Sequence, residues 1–195
     1  GENNYAKILS SLYRKIEKSS IVWVRQHSQN GIGPATMLAK DYVGNRPFLF
    51  HAGDLYIPNT TYLKDIVKEH NKSNSTATVG LKKVKDPKRY GVVTFRKNKS
   101  ELKITKVVEK PKNPDSNYIL TGVNIFEREI FNAIKNTKPG VNNEIQLTDG
   151  IQTLIKNKKK VVGSLMKTTD PCIDIGVPET YFDAIKYSYS HMIQK

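Results

Sequence analysis

Apolar residues follow two different periods along the chain, and each period predicts one kind of element. Short runs rich in β-branched and aromatic residues are typical of buried strands. Three such runs occupy residues 20–26 (SIVWVRQ), 47–53 (PFLFHAG) and 76–84 (TATVGLKKV). Apolar residues at helical spacing separate these runs, over 34–43 and over 61–72. Strands and helices that alternate in this way favour parallel pairing, and therefore a doubly wound, Rossmann-like α/β sheet that is mostly parallel.

The middle of the chain has a different pattern, with three strands and short links. These strands are predicted over 90–95, 102–110 and 117–126, and no helical spacing separates the first two. We therefore expect a hairpin, or a mixed antiparallel insertion in the sheet. Two helices, a strand and a last helix beginning at Pro178 are predicted over 127–136, 145–157, 160–166 and 178–193. Trp23, in the first strand run, is expected in the core.

The composition is that of one globular domain over residues 1–195, with 37% hydrophobic and 26% charged residues. No window holds eighteen consecutive apolar residues, and the first residues lack the basic-then-apolar order of a secretory signal. We therefore expect a cytoplasmic protein with no membrane partner. A single cysteine, Cys172, excludes an internal disulfide, and four scattered histidines give no zinc pattern. Any metal should be a hard ion bound by oxygen atoms.

Basic residues exceed acidic ones by 14, which makes polyanions the natural partners to consider. The excess is spread over several runs, at 82–89, 96–99 and 156–160, where turns or helix ends are expected. A solvated surface is therefore favoured over a nucleic-acid face, and the sequence contains no recognisable nucleic-acid motif.

Candidate chemistry lies at the ends of the predicted strands, because ligands of open α/β sheets bind beyond the carboxyl ends of the strands. The polar residues at these ends are Gln26, Asp54, Glu109, Lys110 and Asp174. Two separate aspartates, Asp54 and Asp174, suit a magnesium site shared with phosphates, because Mg²⁺ keeps few protein ligands. For either aspartate alone, a turn-forming role beside glycine is the alternative.

A glycine pair, Gly31 and Gly33, lies between a predicted strand and a predicted helix. Backbone N–H groups at such a position can point at an anion or at the edge of a base. A tight turn before the helix is the alternative explanation, because a single Gly-x-Gly has little specificity.

Six motifs follow one another along the chain: QHSQNGIGPATMLAKDYVGNRPFLFHAGD, RYGVV, VVEKP, SNYILTGVNIF, NEIQLTDG and DIGVPETYFDA. In this order they resemble the sugar-1-phosphate nucleotidyltransferases, the nucleoside-diphosphate-sugar pyrophosphorylases of the glucose-1-phosphate thymidylyl- and uridylyltransferase kind. The resemblance runs from about residue 20 to about residue 185. It implies transfer of a nucleotidyl group from a nucleoside triphosphate to a sugar 1-phosphate, giving a nucleotide sugar and pyrophosphate, with Mg²⁺ as cofactor.

The resemblance implies roles for individual residues. Asp54 and Asp174 match the two metal ligands, and Lys110 matches the cation on the sugar phosphate. Gln26 and Gly31 match positions that recognise the nucleotide base.

The sugar pocket is implied in the same way. Gly91 matches a glycine whose backbone lies against the sugar, and Glu109 matches the carboxylate that holds sugar hydroxyls. Asn124 and Thr148 fall at positions that line the pocket. A phosphate is already a nucleophile, so this chemistry needs positioning and charge neutralisation rather than a Ser-His pair.

The sequence departs from the family at its start. The family's glycine-rich loop, Gly-Gly-x-Gly-Thr-Arg-x-x-Pro, with its main catalytic arginine, is absent, and the sequence begins with Gly1 rather than Met. We therefore expect a nucleotidyltransferase domain truncated at the N-terminus. Three explanations stay open: a piece of a full enzyme, one half of a split protein, or a degenerate relative.

Two other functions are carried as alternatives. One is a noncatalytic nucleotide-sugar-binding or regulatory subunit, suggested by the absent loop. The other is a basic nucleic-acid-binding domain, suggested by the net charge of +14. The sequence leaves the base and the sugar undecided, and self-association into a homo-oligomer is an expectation from the resemblance.

Overall fold

The computed structural model of the chain describes residues 2–98 and 101–192, so Lys99 of the predicted basic run lies outside the described residues. Within these ranges the chain forms eight strands, which we number in chain order. They are β1 Phe48–His51, β2 Leu55–Tyr56, β3 Ala77–Lys83, β4 Gly91–Asn98, β5 Glu101–Glu109, β6 Tyr118–Phe126, β7 Val161–Leu165 and β8 Ile173–Asp174.

Six of these strands form one mixed sheet in the order β1-β6-β3-β7-β5-β4. The α/β class and the predicted antiparallel insertion are confirmed, and β4 and β5 form the expected hairpin. Parallel pairing is less extensive than the sequence pattern suggested, because β3–β7 is the single parallel pair in the described ranges. The physical reason is the position of β6. It enters antiparallel between β1 and β3, which run in the same direction.

Seven α-helices are described: α1 Glu2–Glu17, α2 Ile32–Met37, α3 Lys40–Val43, α4 Thr61–Ser73, α5 Glu129–Lys135, α6 Leu147–Lys156 and α7 Pro178–Met192. None of the helices in the described ranges is both long enough and apolar enough to span a membrane. The helix predicted over 34–43 is divided into α2 and α3. The other predicted helices are present, and α7 begins at Pro178 as expected.

Helices cover both faces of the sheet. On one face, Tyr62 and Ile66 of α4 pack against Val123 and Ile125 of β6. On the other face, α5 and α6 contribute seven of the fifteen buried residues of a larger core, which also contains fully buried residues of β3 and Phe126 of β6. β6 therefore contributes apolar side chains to the cores on both faces of the sheet.

The periodicity of α4 explains its burial. Tyr62, Ile66, His70 and Ser73 are buried and recur at intervals of three or four residues, so they share one helical face. The helix ends at Asn74, which adopts a left-handed conformation with φ of 48°, as helix C-termini commonly require.

The strand predicted over residues 20–26 is wrong. The segment forms no strand, and its backbone from Ile21 to Arg25 makes no hydrogen bond within the described residues. Trp23, expected in the core, is 92% exposed. The preceding helix α1 also exposes its large apolar side chains, among them Tyr5 and Leu12. A β-branched run becomes a strand only when a neighbouring strand pairs with it, and the described residues provide none here.

Candidate active site

A cavity of about 320 Å³ opens at the carboxyl ends of β1 and β5 and at the start of β4. We call it the main cavity. It brings together six of the residues predicted from sequence: Asp54, Gly91, Glu109, Asn124, Thr148 and Asp174. These residues are separated by up to 120 positions in the sequence, so the fold and not the local sequence makes them neighbours.

The two aspartates converge from adjacent strands. β2 and β8 form a short antiparallel pair in which Leu55 lies opposite Asp174, and the Ile175 N–H donates to the carbonyl oxygen of Asp54 over 2.8 Å. Both carboxylates lie beside Gly176. A Cβ atom built on that glycine would stand 3.0 Å from Asp174 Oδ1 and 3.7 Å from Asp54 Oδ2. The carboxylates therefore face one common space.

This donor set suits a magnesium ion. Two carboxylates supply hard oxygen ligands, and Mg²⁺ is usually held by one or two carboxylates together with substrate phosphates. The described residues contain no group of three or more His, Cys, Asp or Glu side chains that could form a closed metal cage. Asp54 and Asp174 could thus hold Mg²⁺ only with oxygen atoms from water or from a phosphate ligand completing its coordination.

Glu109 and Thr148 form a second polar group in the lining of the main cavity. The Thr148 hydroxyl donates to Glu109 Oε2 over 3.0 Å, and Gly91 pairs with Glu109 across β4 and β5. A Cβ on Gly91 would come within 2.6 Å of Thr148 Cγ2, so only glycine allows this close approach. The carboxylate of Glu109 therefore accepts from Thr148 through Oε2, while its Oε1 faces the Lys110 ammonium.

Lys110 follows Glu109 at the point where β5 ends. Its backbone is left-handed, with φ of 42°, and its N–H donates to the Tyr90 carbonyl oxygen over 3.0 Å. The Lys110 Nζ lies 3.7 Å from Glu109 Oε1, and half of the side chain is exposed. Lys110 is not one of the residues that line the main cavity. Its flexible ammonium group stands next to the cavity, within reach of an anion placed there.

The predicted base-recognition residues lie apart from the other site residues. The Gln26 Nε2 donates to the Gly31 carbonyl oxygen over 3.2 Å, so these two residues contact each other. Gly31 has φ of 102°, and a Cβ there would meet the Ile145 carbonyl oxygen at 2.6 Å. Neither residue lines the main cavity, but Ile32, which follows Gly31, does. The glycine loop is thus joined to the rim of the cavity.

Several wall residues were missed by the sequence reasoning. Lys82, Arg89, Thr121 and Cys172 all line the main cavity. The Lys82 ammonium donates to the Asp170 carbonyl oxygen over 3.0 Å, just before β8. Arg89 makes no hydrogen bond or ion pair within the described residues. In the sequence Arg89 belongs to the basic run 82–89 and comes directly before the Tyr-Gly of RYGVV.

Burial also changes the acidity of two groups near this wall. It raises the pKa of the Cys172 thiol above its ordinary value, although the Lys82 ammonium opposes the effect. Burial likewise raises the pKa of Tyr62 to about 12, and its hydroxyl donates to the Ser164 carbonyl oxygen over 3.2 Å. Both groups are therefore neutral at physiological pH and supply no charge to the cavity.

The sequence profile of the Nucleotidyl transferase family matches residues 2–190. A UTP–glucose-1-phosphate uridylyltransferase of Mycoplasma genitalium is 32% identical over 173 residues, which cover 84% of this chain and 58% of that protein. The enzyme of the same name from Staphylococcus epidermidis is 33% identical over 166 residues, covering 80% of this chain and 56% of that protein. The chain thus spans a little more than half the length of these curated relatives.

Solved structures give the same result. A UDP-glucose pyrophosphorylase complexed with UDP-glucose has a TM-score of 0.88 and 29% identity, covering 97% of this chain and 73% of that one. The resemblance predicted from the six motifs is confirmed. The family profile matches nearly the whole described sequence, and relatives above 30% identity align with four fifths of it, so the chain belongs to the nucleotidyl transferase family.

Proposed function

We propose that this chain provides the sugar-phosphate and metal side of a sugar-1-phosphate nucleotidyltransferase, the reaction that joins a nucleoside triphosphate and a sugar 1-phosphate and releases pyrophosphate. The names of the relatives and the UDP-glucose bound to the structural neighbour point to uridine triphosphate and glucose 1-phosphate as the substrates to test first. A cytoplasmic location and self-association stay predictions from the sequence.

In this proposal the reacting phosphates meet at Asp54 and Asp174. Mg²⁺ held there would neutralise phosphate charge and orient the α-phosphorus for in-line attack. Lys110 contacts the phosphate of the sugar 1-phosphate, the attacking group. No general base is required, because this phosphate is ionised at neutral pH. The protein positions the substrates and stabilises charge, and each of these effects can lower the activation free energy by several kcal/mol.

The remaining residues hold the two substrates. Glu109 accepts hydrogen bonds from sugar hydroxyls while Thr148 fixes its second oxygen, and Gly91 lets the sugar approach the backbone. Asn124 also faces the sugar. Gln26 and Gly31 recognise the base at the rim of the cavity.

One observation carries the proposal: the paired carboxylates of Asp54 and Asp174 share a single cavity with the Glu109–Thr148 hydrogen bond. A metal-phosphate end and a hydroxyl-binding end in one space of about 320 Å³ fit a sugar joined to a phosphate. Neither end alone would distinguish a nucleotide sugar from a simpler anion.

The experiment is titration calorimetry of UDP-glucose into the purified chain, with Mg²⁺ or with a chelator. We expect Mg²⁺-dependent binding that weakens at least about tenfold in Asp54→Ala and Asp174→Ala, because each variant removes one of two protein ligands. Asp65→Ala on the exposed face of α4 is the matched control and should bind as the unchanged chain does. Binding that is insensitive to Mg²⁺ and to both aspartate variants would reject the metal site.

A second function, nucleotide-sugar binding without turnover, is favoured by the position of Gln26 and Gly31. Gln26 is the last residue of the unpaired segment 20–26, which no strand in the described residues supports, and it holds Gly31 by a hydrogen bond. A loosely held base site would bind product but position the triphosphate poorly. Incubation of the chain with uridine triphosphate and glucose 1-phosphate separates the two functions, since only the enzyme releases pyrophosphate.

A further inference from the structure

The side-chain amide of Asn124 is held in one orientation by the strand beside it. Asn124 lies on β6, opposite Phe50 of β1 and Val79 of β3, and only 2% of it is exposed. The Gly80 N–H donates to Asn124 Oδ1 over 3.3 Å. Because a backbone N–H can only donate, the partner must be the amide oxygen, and the Nδ2 group must point elsewhere.

The Nδ2 of Asn124 has no acceptor on the protein. No described residue accepts a hydrogen bond from it. Among the described residues, the side-chain atom that is both fully buried and without a partner is the Thr121 hydroxyl oxygen, so the Asn124 Nδ2 is not fully buried. The Asn124 Nδ2 must therefore retain some accessible surface. Asn124 lines the main cavity, so that surface opens into the cavity. The Nδ2 group is thus presented there without a partner among the described residues.

An irregularity between β3 and β6 makes this orientation a fixed feature of the fold. The register shifts between Val79 and Leu81, and Gly122 takes a positive φ of 76° in the resulting bulge of β6. A Cβ on Gly80 would stand 2.2 Å from the Thr121 hydroxyl and 2.5 Å from the Tyr62 hydroxyl. Glycine at position 80 is therefore required for the approach that brings its N–H to Asn124.

The surroundings of Asn124 select a neutral acceptor. The side chains of Phe50, Leu120 and Leu147 line the same cavity and are apolar. The strand residues directly opposite Asn124, Phe50 of β1 and Val79 of β3, are also apolar. No ionised side chain of the described residues makes a hydrogen bond or ion pair with Asn124. A neutral donor between apolar groups pairs best with an uncharged oxygen, because an anion there would lose hydration without a compensating charge. A sugar hydroxyl is such an oxygen.

We propose that Asn124 is a specificity-determining residue that donates a hydrogen bond to one hydroxyl of the sugar. It selects sugar 1-phosphates that carry an oxygen at that position over their deoxy counterparts. Glu109 complements it by accepting hydrogen bonds, so the cavity has one donor and one acceptor for the sugar ring. This inference rests on the proposed function, because it names which sugars the same site accepts.

The test measures the dissociation constants of glucose 1-phosphate and of its mono-deoxy derivatives by calorimetry in the presence of Mg²⁺. The unchanged chain should bind one derivative about 10- to 100-fold more weakly through loss of the Asn124 bond. In Asn124→Leu, the affinity for glucose 1-phosphate should fall by a similar factor, so that glucose 1-phosphate binds no more tightly than that derivative. The other derivatives should keep their relative affinities.

Two further variants keep the test decisive. Asn124→Asp retains an oxygen for the Gly80 N–H but replaces the donor by a second oxygen, so it should weaken glucose 1-phosphate at least as much as Asn124→Leu. Glu109→Gln should alter the affinity for a different derivative, because Glu109 contacts a different hydroxyl. Urea unfolding verifies that each variant is folded. If neither Asn124 variant folds, the unchanged chain still tests the claim, because equal binding of glucose 1-phosphate and of every mono-deoxy derivative would overturn the role of Asn124.

The outcomes separate the two claims. The role of Asn124 is overturned if both Asn124 variants still bind glucose 1-phosphate more tightly than the same deoxy derivative. It is also overturned if Asn124→Leu lowers the affinity for glucose 1-phosphate and for every derivative equally. Either result leaves the proposed function intact. Failure of every sugar 1-phosphate and of UDP-glucose to bind, with or without Mg²⁺, rejects the proposed function and the inference together.

Discussion

Segment 20–26 and strand β6 have similar kinds of residues but different structures. Both are rich in β-branched and aromatic residues, and the sequence pattern predicts a strand for each. β6 lies between β1 and β3 and buries Val123, Ile125 and Phe126 almost completely. Segment 20–26 exposes Trp23 and pairs with no strand in the described residues. The comparison shows that strand propensity becomes structure only where neighbours satisfy the backbone and cover the side chains.

The strongest test of this comparison removes a ring from β6. Phe126 is fully buried, and its ring centroid lies 5.9 Å from that of Phe48. We expect Phe126→Ala to lower the free energy of unfolding by about 3–5 kcal/mol, because it removes a large apolar group and leaves a cavity. Urea unfolding followed by circular dichroism measures the change. A loss below about 1 kcal/mol would mean that the buried end of β6 is not part of the stable core.

A smaller effect is expected where β6 approaches β3. In Gly80→Ala the new methyl group would meet the Thr121 and Tyr62 hydroxyls and the Val123 carbonyl oxygen, at 2.2–2.6 Å. Overpacking of this kind costs about 1–3 kcal/mol of unfolding free energy. Gly53→Ala is the matched control, because nothing lies within 4 Å of its Cβ position. Equal stability of the two variants in urea would contradict the close packing at Gly80.

Cys172, on the wall of the main cavity, allows a third test. Its burial is intermediate between that of Phe126 and that of Trp23. Burial raises the pKa of its thiol, so little thiolate exists near neutral pH and alkylation by iodoacetamide should be slow. The rate should rise about tenfold for each pH unit on the acidic side of that pKa. Lys82→Met should slow the reaction further, because the Lys82 ammonium favours the thiolate.

Mass spectrometry of the modified chain follows this reaction. UDP-glucose with Mg²⁺ should protect the thiol, since Cys172 lines the main cavity. Rapid alkylation at neutral pH that does not change with pH would contradict the raised pKa.

The smallest effect is expected in the exposed segment. Trp23→Ser should change the free energy of unfolding by less than about 0.5 kcal/mol, as surface substitutions usually do. Trp23 is the single tryptophan of the sequence, so its fluorescence reports this segment alone. Its emission should scarcely shift when the unchanged chain unfolds in urea. A large red shift would show that the indole is covered in solution.

Much of the fold could be predicted because most apolar runs acquire partners. The boundaries of β3, β6, β7, α4 and α7 agree with the sequence pattern to within a few residues. The pattern could not reveal the order of the strands, since the insertion of β6 between β1 and β3 is decided by packing on both faces of the sheet. It could not reveal that segment 20–26 stays unpaired either.

Some residues of the candidate site could be predicted from the sequence and others could not. Asp54, Glu109 and Asp174 were found by the physical rule that ligands bind where strands end, and they do share a cavity. Asn124 and Thr148 were named only through the family resemblance, because buried polar residues inside a strand and a helix carry no local signal. Arg89 and Cys172 were missed, because only the folded chain shows which loop residues form the wall of a cavity.

The left-handed backbone of Lys110 has a consequence for how this protein could change under selection. A lysine at φ of 42° costs about 1–2 kcal/mol that glycine would not. A library of variants screened for heat resistance alone should therefore be enriched in Lys110→Gly, and the survivors would lack the cation beside the cavity. Retention of lysine at this position during directed evolution would show that selection acts on activity rather than on thermal stability.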